Sequence, residues 1–371
     1  MDIQKAKAAL ENATAITEKH WKNFENGFPA PASTNNRYQK IENNDWTAGF
    51  YTGLMWMFYE HTGKGFFREL AEKQLVSFRD RLDRRIVVDH HDMGFIFGLS
   101  CVAAYKLTGN EFAKETALLA ANNLKSRFHE KGQFIQAWGL LGDASEYRLI
   151  IDCLLNLPLL YWATDLTGDP SYRYCAVQHL NTARKTIIRD DFSTYHTYYF
   201  DMETGEPLHG ATKQGYSDTS TWSRGQAWGV YGLMLNYAYR KDPSILPQWK
   251  GVTDYFIAHL PKDLAAYWDF YFRQGPEPRD SSASAIAVCG ILEAYRQGVC
   301  GKEYLDKGYE ILDSLIDNYA AKVNEDGNGI LKHSTYGRLL GEGIDEFTLW
   351  GDYFYVEALM RAVYPDWKMY W

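Results

Sequence analysis

The chain has 371 residues with a formal net charge of -8 and a pI near 5.7. This balance excludes a nucleic acid or an anionic membrane surface as the partner, because both require a basic face. No stretch approaches 18 uncharged apolar residues, so no membrane span is predicted. The five cysteines are scattered without CxxC spacing, and the N-terminal segment has no uninterrupted apolar run. These features predict a cytoplasmic protein without a secretory signal.

Amphipathic stretches alternate along the chain with apolar runs that are almost free of charge. The pairs, amphipathic stretch first, are 3–24 with 46–59, 66–82 with 93–105, 111–128 with 153–164, 170–188 with 225–239, 246–260 with 281–295, and 302–320 with 353–364. A helix that is apolar on all sides must be buried, whereas a helix with a charged stripe lies at the surface. The pattern therefore predicts six outer and six inner helices.

Six inner helices alternating with six outer ones are typical of an all-α protein with an (α/α)6 barrel, here predicted as a single domain over residues 1–371. An outer helix separates successive inner helices, so all inner helices run in one direction and their N-termini open on one mouth. Gly63, Gly109 and Gly168 fit helix C-termini that need a left-handed residue.

A charged residue precedes or begins each inner helix and is predicted to lie at the rim of the mouth. These residues are Asp45, Asp92, Asp152, Arg224, Asp280 and Asp352. Because Asp is a favoured N-cap, we interpret Asp45, Asp280 and Asp352 as helix caps without a chemical role.

Three long connections are predicted to gather at the same mouth, without clear structure of their own. They cover residues 27–44, 131–147 and 190–223 and carry Trp138, His196, Gln214 and Trp222. Connections of this length are usually functional. The high content of aromatic residues, 16%, supplies stacking platforms beside the carboxylates, a combination that suits sugars.

The stretch DHHDMGF, at 89–95, invites a metal-site interpretation. His90 and His91 are adjacent, so they point in different directions, and neither has a histidine three or four residues away. We therefore predict two structural histidines and no metal. Asp92 precedes an apolar run as Asp152 does, and the two carboxylates are expected to face one cavity if both rims converge.

Asp152 lies in the apolar run RLIIDCLLNLPLL. A carboxylate in such surroundings loses hydration, its pKa rises, and it can hold a proton near neutral pH as a general acid requires. A buried cap bonded to backbone amides would lower the pKa instead. Arg224 suits a ligand carboxylate or, equally, a rim Asp, and His196 suits a polar contact or a core position.

Eight blocks in order resemble the unsaturated glucuronyl hydrolases of glycoside hydrolase family 88. They are DWTAGFYTG (45–53), DHHDMGF (89–95), IQAWG (135–139), IIDCLLNLPLL (150–160), YHTYYFD (195–201), STWSRGQAWG (220–229), RDSSASAI (279–286) and LWGDYFYVEAL (349–359). The fold of that family is the (α/α)6 barrel. The resemblance spans nearly the whole chain and is more specific than any single motif.

The resemblance implies a glycosidase that needs no cofactor or metal and acts on a small oligosaccharide with a 4,5-unsaturated uronic acid at its non-reducing end. It implies Asp152 as general acid and base, with Asp92 beside it in the site. The implied sugar contacts are Trp46, Trp138, His196, Gln214, Trp222, Arg224 and Trp228. A monomer or weak homo-oligomer is expected, with no nucleic-acid or membrane partner.

The nearest alternative is an unsaturated rhamnogalacturonyl hydrolase, which acts on pectin-derived disaccharides. A sugar epimerase on the same barrel would rely on histidine bases, whereas the predicted rim is mostly acidic. A non-catalytic scaffold would bury Asp, Arg, His and Trp at its centre at high cost. Family members that prefer sulfated substrates resemble one another in a Ser-x-x-Ser-x-Lys pattern, which residues 333–347 lack, so unsulfated disaccharides are expected.

Overall fold

The computed structural model, which describes residues 1–371, consists mainly of twelve helices arranged as two alternating rings. The outer helices are α1 (Ile3–His20), α3 (Gly65–Asp83), α5 (Glu111–Lys125), α7 (Pro170–Thr186), α9 (Leu246–His259) and α11 (Lys302–Ser314). The inner helices are α2 (Ala48–Thr62), α4 (Gly94–Val102 continued by Ala103–Thr108), α6 (Pro158–Thr167), α8 (Ser223–Arg240), α10 (Ser281–Arg296) and α12 (Leu349–Val363). The predicted (α/α)6 barrel is confirmed.

Composition explains which helices lie inside. Every residue from Ser281 to Ala294 of α10 and from Leu349 to Ala362 of α12 is buried. In the amphipathic helix α11, by contrast, only four residues are buried. The apolar runs thus form the wall of the inner ring, and the charged stripes of the outer helices meet solvent.

The predicted glycine turns end three inner helices. Gly63, Gly109 and Gly168 have φ values of 70°, 68° and 77°, and each donates its N–H to the carbonyl four residues earlier. The next helix is capped by the side chain of Asn110 or Asp169 in two of these turns. These tight connections return the chain to the outer ring.

Two inner helices, α4 and α6, begin irregularly, and they follow Asp92 and Asp152 respectively. The first part of α4, Gly94–Val102, is π-helical, and a short 3-10 turn at Ile151–Leu155 precedes α6. The backbones of α2 and α4 nearly touch, because a Cβ on Gly49 would lie 2.1 Å from the carbonyl oxygen of Phe95. Such π-helical turns are frequent at functional sites.

The prediction that the long connections lack clear structure is wrong, since each contains at least one short antiparallel strand. The strands within them are β1 (Phe28–Pro29), β2 (Lys40–Ile41), β4 (Phe134–Ile135), β6 (Thr197–Phe200) and β7 (Pro207–Ala211). The remaining strands are β3 (Phe128–His129) and β5 (Arg148–Ile150), on either side of the second connection, and β8 (Ser334–Gly337) and β9 (Glu342–Glu346), which form a hairpin before α12. Strand β6 pairs with both β5 and β7, and Ile150 lies opposite Thr197. The connections therefore hold their side chains in fixed register.

The core extends through the inner ring to the last residue of the described chain. The indole of Trp371 stacks on Phe354 with ring centroids 5.9 Å apart, and its Nε1 donates to Glu357. Glu357 also accepts from Arg361, which reaches Glu293 of α10. None of the helices is both long enough and apolar enough to cross a membrane.

Candidate active site

A cavity of about 460 Å³ opens between the connections of the barrel. All nine site residues expected from the sequence line it: Trp46, Asp92, Trp138, Asp152, His196, Gln214, Trp222, Arg224 and Trp228. Six further residues line it without having been singled out for that role: His91, Glu146, Arg148, Lys213, Tyr336 and Leu340. Side chains from segments far apart in sequence thus meet in one hollow.

The convergence of Asp92 and Asp152 depends on a contact between their two segments. The side-chain oxygen of Asn156, just after the 3-10 turn, accepts the backbone N–H of Phe95 at the start of α4. A Cβ on Gly94 would lie 2.4 Å from the Cα of Asn156, so only glycine permits this approach. One carboxylate oxygen of each acid lies within 4.8 Å of the other.

The three-stranded sheet places Asp152 next to His196. Strand β5 leads into the turn that carries Asp152, and the backbone N–H of Ile151 donates to the carbonyl of His196 over 3.1 Å. The register of β5 with β6 fixes this pairing. A one-residue slip would turn His196 away from the cavity, because side chains alternate along a strand.

The two acids have opposite tendencies to hold a proton. Burial and the negative charge of Asp92 raise the pKa of Asp152 well above its usual value, despite the opposing effect of Arg224. Burial alone would also raise the pKa of Asp92, but the imidazoles of His91 and His90 and the charge of Arg81 lower it overall. Of the two acids, Asp152 therefore favours its protonated form and Asp92 favours its charged form.

The ring of His91, which the sequence predicts to be structural, lies between the two acids and lines the cavity. Its Nε2 is 3.4 Å from Oδ1 of Asp92 and 3.3 Å from Oδ1 of Asp152. The His90 ring also contacts Asp92: its Nδ1 accepts the backbone N–H of Asp92 and lies 3.0 Å from Oδ2 of that residue, while its Nε2 donates to the carbonyl of Val87. His91, Asp92 and Asp152 are also the residues best placed to approach a metal ion, so the absence of a metal stays a prediction.

His196 faces the cavity as a neutral hydrogen-bond donor. Its Nδ1 accepts the backbone N–H groups of Lys213 and Gln214, at 3.0 Å and 3.3 Å, so the ring proton resides on Nε2. Burial and the charges of Arg224 and Arg148 lower the pKa of His196 to about 3. The ring packs against the indole of Trp222 with centroids 4.3 Å apart, which fixes the direction of its N–H.

Arg224 pairs with one of the rim acids, Asp280, and its contact with a ligand carboxylate stays a prediction. One Nη donates to Asp280 and to the carbonyl of Thr335, and the other donates to the carbonyl of Tyr336 and to Gln214. The Arg224 side chain is 2% exposed, and its guanidinium lies over the Trp222 ring. Arg224 therefore pairs with a rim acid and lines the cavity at once.

The helix-cap interpretation is wrong for all three acids. Asp45 accepts the backbone N–H of Thr47, but Thr47 itself is the N-cap residue of α2, and Asp45 lies two residues before it. Asp280 caps nothing, because its carboxylate binds Arg224 and Ser282. Asp352 lies inside the first turn of α12. Its carboxylate accepts the backbone N–H groups of Ile330 and Leu331 and the hydroxyl of Tyr38. None of these three acids lines the cavity. Of the six charged residues predicted at the rim, only Asp92, Asp152 and Arg224 line it.

Aromatic rings form much of the cavity wall. Trp46 stacks on Trp350 with centroids 5.1 Å apart and donates its Nε1 to the hydroxyl of Tyr336. Phe95 lies 5.6 Å from Trp46 and 5.5 Å from Trp228 and supports both. Rings held by several neighbours present preorganised apolar faces to a ligand.

Sequence reasoning missed the contribution of the β8–β9 hairpin. It supplies Tyr336 and Leu340, and Leu340 at its tip is 56% exposed. The signal available was the pair of leucines between polar residues in TYGRLLGEG, which is unusual for an exposed turn. Arg148 was also missed: its guanidinium lies 4.7 Å from the Trp138 ring and pairs with Glu146.

Comparison with known proteins places this architecture in a family. The model of Glycosyl Hydrolase Family 88 matches residues 14–363. The unsaturated chondroitin disaccharide hydrolase of Streptococcus pyogenes serotype M1 is 46% identical over 368 residues, which cover 98% of this chain and 92% of that protein.

Two crystal structures of unsaturated glucuronyl hydrolases have the same fold. The enzyme from Streptococcus agalactiae has a TM-score of 0.97 at 44% identity, with 100% of this chain and 94% of that chain covered. The enzyme from Bacillus sp. GL1, described as responsible for the degradation of glycosaminoglycan, has a TM-score of 0.93 at 42% identity, with 96% of each chain covered. The chain is therefore a glycosidase that belongs to glycoside hydrolase family 88.

Proposed function

We propose that this glycosidase removes the 4,5-unsaturated glucuronic acid from the non-reducing end of lyase-derived oligosaccharides, with Asp152 as general acid and base. The observation that carries the assignment is the pairing of Asp152, whose pKa is raised, with Asp92, whose pKa is lowered, in one aromatic-walled cavity. The names of the relatives describe glucuronyl and chondroitin disaccharide hydrolases, so the rhamnogalacturonyl alternative is not favoured.

The reaction begins with protonation of an alkene. The C4=C5 bond of the unsaturated sugar is a vinyl ether, because C5 bears the ring oxygen. Asp152 donates its proton to C4, a C4–H bond forms, and the positive charge at C5 is shared with the ring oxygen. The neighbouring charge of Asp92 keeps Asp152 protonated before this step.

Water completes the reaction at C5. Its oxygen bonds to C5 while its proton passes to the carboxylate of Asp152, which restores the acid. The hemiketal at C5 opens to a ketone, the ring oxygen becomes a hydroxyl at C1, and the hemiacetal there collapses to release the aglycone. We assign the orientation of this water and of the sugar hydroxyls to Asp92, which is 12% exposed towards the cavity. One acid serves both proton transfers, so carboxylate separation does not predict stereochemistry here.

The uronate carboxylate needs a cationic partner, and three cationic residues line the cavity: Arg148, which pairs with Glu146, and Lys213 and Arg224. Both Nη atoms of Arg224 are occupied by protein acceptors, which leaves Nε for a ligand. Lys213, beside Gln214, is exposed and has no acidic partner within ion-pair distance. We assign the carboxylate to the Arg224, Gln214 and Lys213 side of the cavity, with the N–H of His196 and the rings of Trp46, Trp138, Trp222 and Trp228 holding the sugars.

The hairpin tip argues for an unsulfated sugar beyond the cleaved bond. Leu339 and Leu340 are 59% and 56% exposed there, and the adjacent Arg338 lies 3.4 Å from Glu277. An apolar tip cannot replace the hydration of a sulfate group, which makes burial of the sulfate costly. Unsulfated disaccharides from hyaluronan or chondroitin are the proposed substrates. Equal turnover of a sulfated and an unsulfated disaccharide would contradict this preference.

The assay follows the loss of ultraviolet absorbance of the alkene when the enzyme meets lyase-made unsaturated disaccharides. In heavy water, deuterium should appear at C4 at early times, before exchange beside the new ketone. Asp152→Asn should lower kcat by about 10²- to 10⁴-fold while circular dichroism stays unchanged. Asp165→Asn, at an exposed ion pair outside the cavity, is the matched control and should retain activity. Near-normal turnover by Asp152→Asn would remove Asp152 from the mechanism.

We further propose that residues 1–371 act as one catalytic domain. One continuous cluster of 105 buried apolar residues runs from Ala6 to Trp371, which supports a single cooperative unit. All five cysteines are free, in keeping with the proposed cytoplasmic location. We expect a monomer or weak homo-oligomer, and light scattering at two protein concentrations measures the oligomeric state.

A further inference from the structure

We propose that His91 is a positioning residue whose Nε2–H is shared between the carboxylates of Asp92 and Asp152 and so determines which of them carries the proton. The inference rests on the proposed function, since it concerns the acid of that reaction. It assigns a chemical role to a side chain that the sequence predicted to be structural.

The position of the ring fixes where its proton must be. Nε2 lies 3.4 Å from Asp92 Oδ1 and 3.3 Å from Asp152 Oδ1, whereas Nδ1 is buried and has no hydrogen-bond partner. Two carboxylate oxygens on one side of the ring require a donor there, so Nε2 carries the hydrogen and Nδ1 keeps its lone pair. The backbone N–H of His91 donates to Ala137 over 2.7 Å, which anchors the residue.

The surroundings keep the ring neutral. The side chain is 1% exposed, and this burial lowers the pKa of His91 to about 4, against the opposing charge of Asp92. The other titratable or charged groups that act on it or lie close by are Asp152, His90, His179, His196, Arg127 and Arg148. The cationic groups among them disfavour an imidazolium, so His91 offers one N–H and accepts no second proton near neutral pH.

This single donor can serve either acid during turnover. Before protonation of C4, the N–H points to the ionised Asp92 and leaves the proton of Asp152 free for the substrate. After that step Asp152 is also ionised, and its Oδ1, which otherwise has no partner, lies 3.3 Å from the same Nε2, against 3.4 Å for Asp92 Oδ1. A small shift of the hydrogen bond then stabilises the new charge until water returns a proton to Asp152.

Removal of the donor has a specific electrostatic consequence. Without the N–H, both carboxylates lose stabilisation of their charged forms, so both pKa values rise. The bell-shaped dependence of kcat/KM on pH requires Asp92 ionised and Asp152 protonated, and both limbs should therefore move to higher pH. A role confined to packing would lower activity without moving the limbs.

The test compares two substitutions at this position. His91→Phe keeps a ring of similar shape without a donor, and His91→Gln places an amide N–H close to the site of Nε2. His91→Phe should move both limbs upward by about 1 pH unit and lower kcat/KM at pH 7 by about 10- to 100-fold. His91→Gln should restore the limbs to near their original pH. Limbs that stay in place in a folded His91→Phe, or a Gln variant no better than Phe, would overturn the proposal.

A measurement on the unaltered chain covers the case in which His91→Phe does not fold. ¹⁵N spectra of histidine-labelled protein, with His91 assigned by loss of its signals in His91→Gln, should show a neutral Nε2–H tautomer from pH 5 to 8. An imidazolium or an Nδ1–H tautomer at pH 7 would overturn the proposal. Wild-type turnover of the unsaturated disaccharide is measured separately, so an inactive wild type refutes the proposed function while the tautomer still tests His91.

Discussion

The buried ion pair between Arg224 and Asp280 offers a quantitative test of how the cavity is held together. The two side chains are 2% and 0% exposed, so neither charge is hydrated. Asp280→Asn keeps the shape of the side chain but removes the negative charge, which leaves the guanidinium of Arg224 buried without a counter-ion. Removal of one partner of a buried pair typically costs about 3–5 kcal/mol of unfolding free energy.

The shift in melting temperature follows from the size of the chain. An unfolding entropy of about 2.1 cal/mol/K per residue gives roughly 0.8 kcal/mol/K for the whole protein, so a loss of 3–5 kcal/mol lowers Tm by about 4 to 6 °C. The carbonyls of Thr335 and Tyr336 still accept from Arg224, each over 2.6 Å, and favour the lower end of this range. Differential scanning calorimetry measures the shift directly.

The matched control is Asp306→Asn, which makes the same chemical change in an exposed pair. Lys302 and Asp306 are 74% and 52% exposed, and the loss of such a pair costs at most about 0.5 kcal/mol, or less than 1 °C in Tm. The reasoning is refuted if Asp280→Asn melts no lower than Asp306→Asn, because Arg224 would then be adequately solvated without its acid.

Two further perturbations test the packing and the electrostatics of the barrel. Gly49→Ala, in α2, should destabilise by at least about 1–3 kcal/mol in chemical denaturation, since its Cβ would meet the backbone of Phe95 at 2.1 Å. Gly98→Ala, in the π-helical part of α4, has no atom within 4 Å of its Cβ and should be neutral or slightly stabilising in the same measurement. Burial raises the pKa of Asp352 to about 7. The folded state therefore binds a proton that the unfolded chain has released, and stability falls as pH rises from about 4 to 7 by up to about 1.4 kcal/mol per unit. Asp352→Asn should flatten thermal stability across that window, and an unchanged slope would show that Asp352 is already ionised when folded.

The ring of helices could be predicted from the sequence because it depends on one strong signal. A run such as 281–295 has no charged residue before Glu293, whereas 302–320 alternates acids with leucines, and burial follows directly from that difference. The nine site residues implied by the family resemblance all line the cavity. Their chemical roles stay predictions.

Contacts between distant segments could not be predicted from local patterns. The pairing of Arg224 with Asp280, the hairpin that delivers Tyr336 and the ring of His91 between two acids all depend on tertiary geometry. The position of Asp280 just before an apolar helix indicates a helix cap, but its carboxylate pairs with the buried Arg224 instead. A buried charge without a partner costs more free energy than a missing helix cap.

The two acids illustrate how one sequence pattern can produce opposite chemistry. Both Asp92 and Asp152 precede an apolar run, yet α4 begins at Gly94, two residues after Asp92, and the carbonyl of Asp92 already accepts the N–H of Ile96. Asp92 thus lies at a helix N-terminus, which favours its charged form. α6 begins only at Pro158, after the 3-10 turn, so Asp152 lies six residues from that N-terminus and is dominated by burial. The delayed helix start at a proline, readable in LLNLPLL, adds to the difference in neighbours by which His91, His90 and Arg81 lower the pKa of Asp92 while burial and the charge of Asp92 raise that of Asp152.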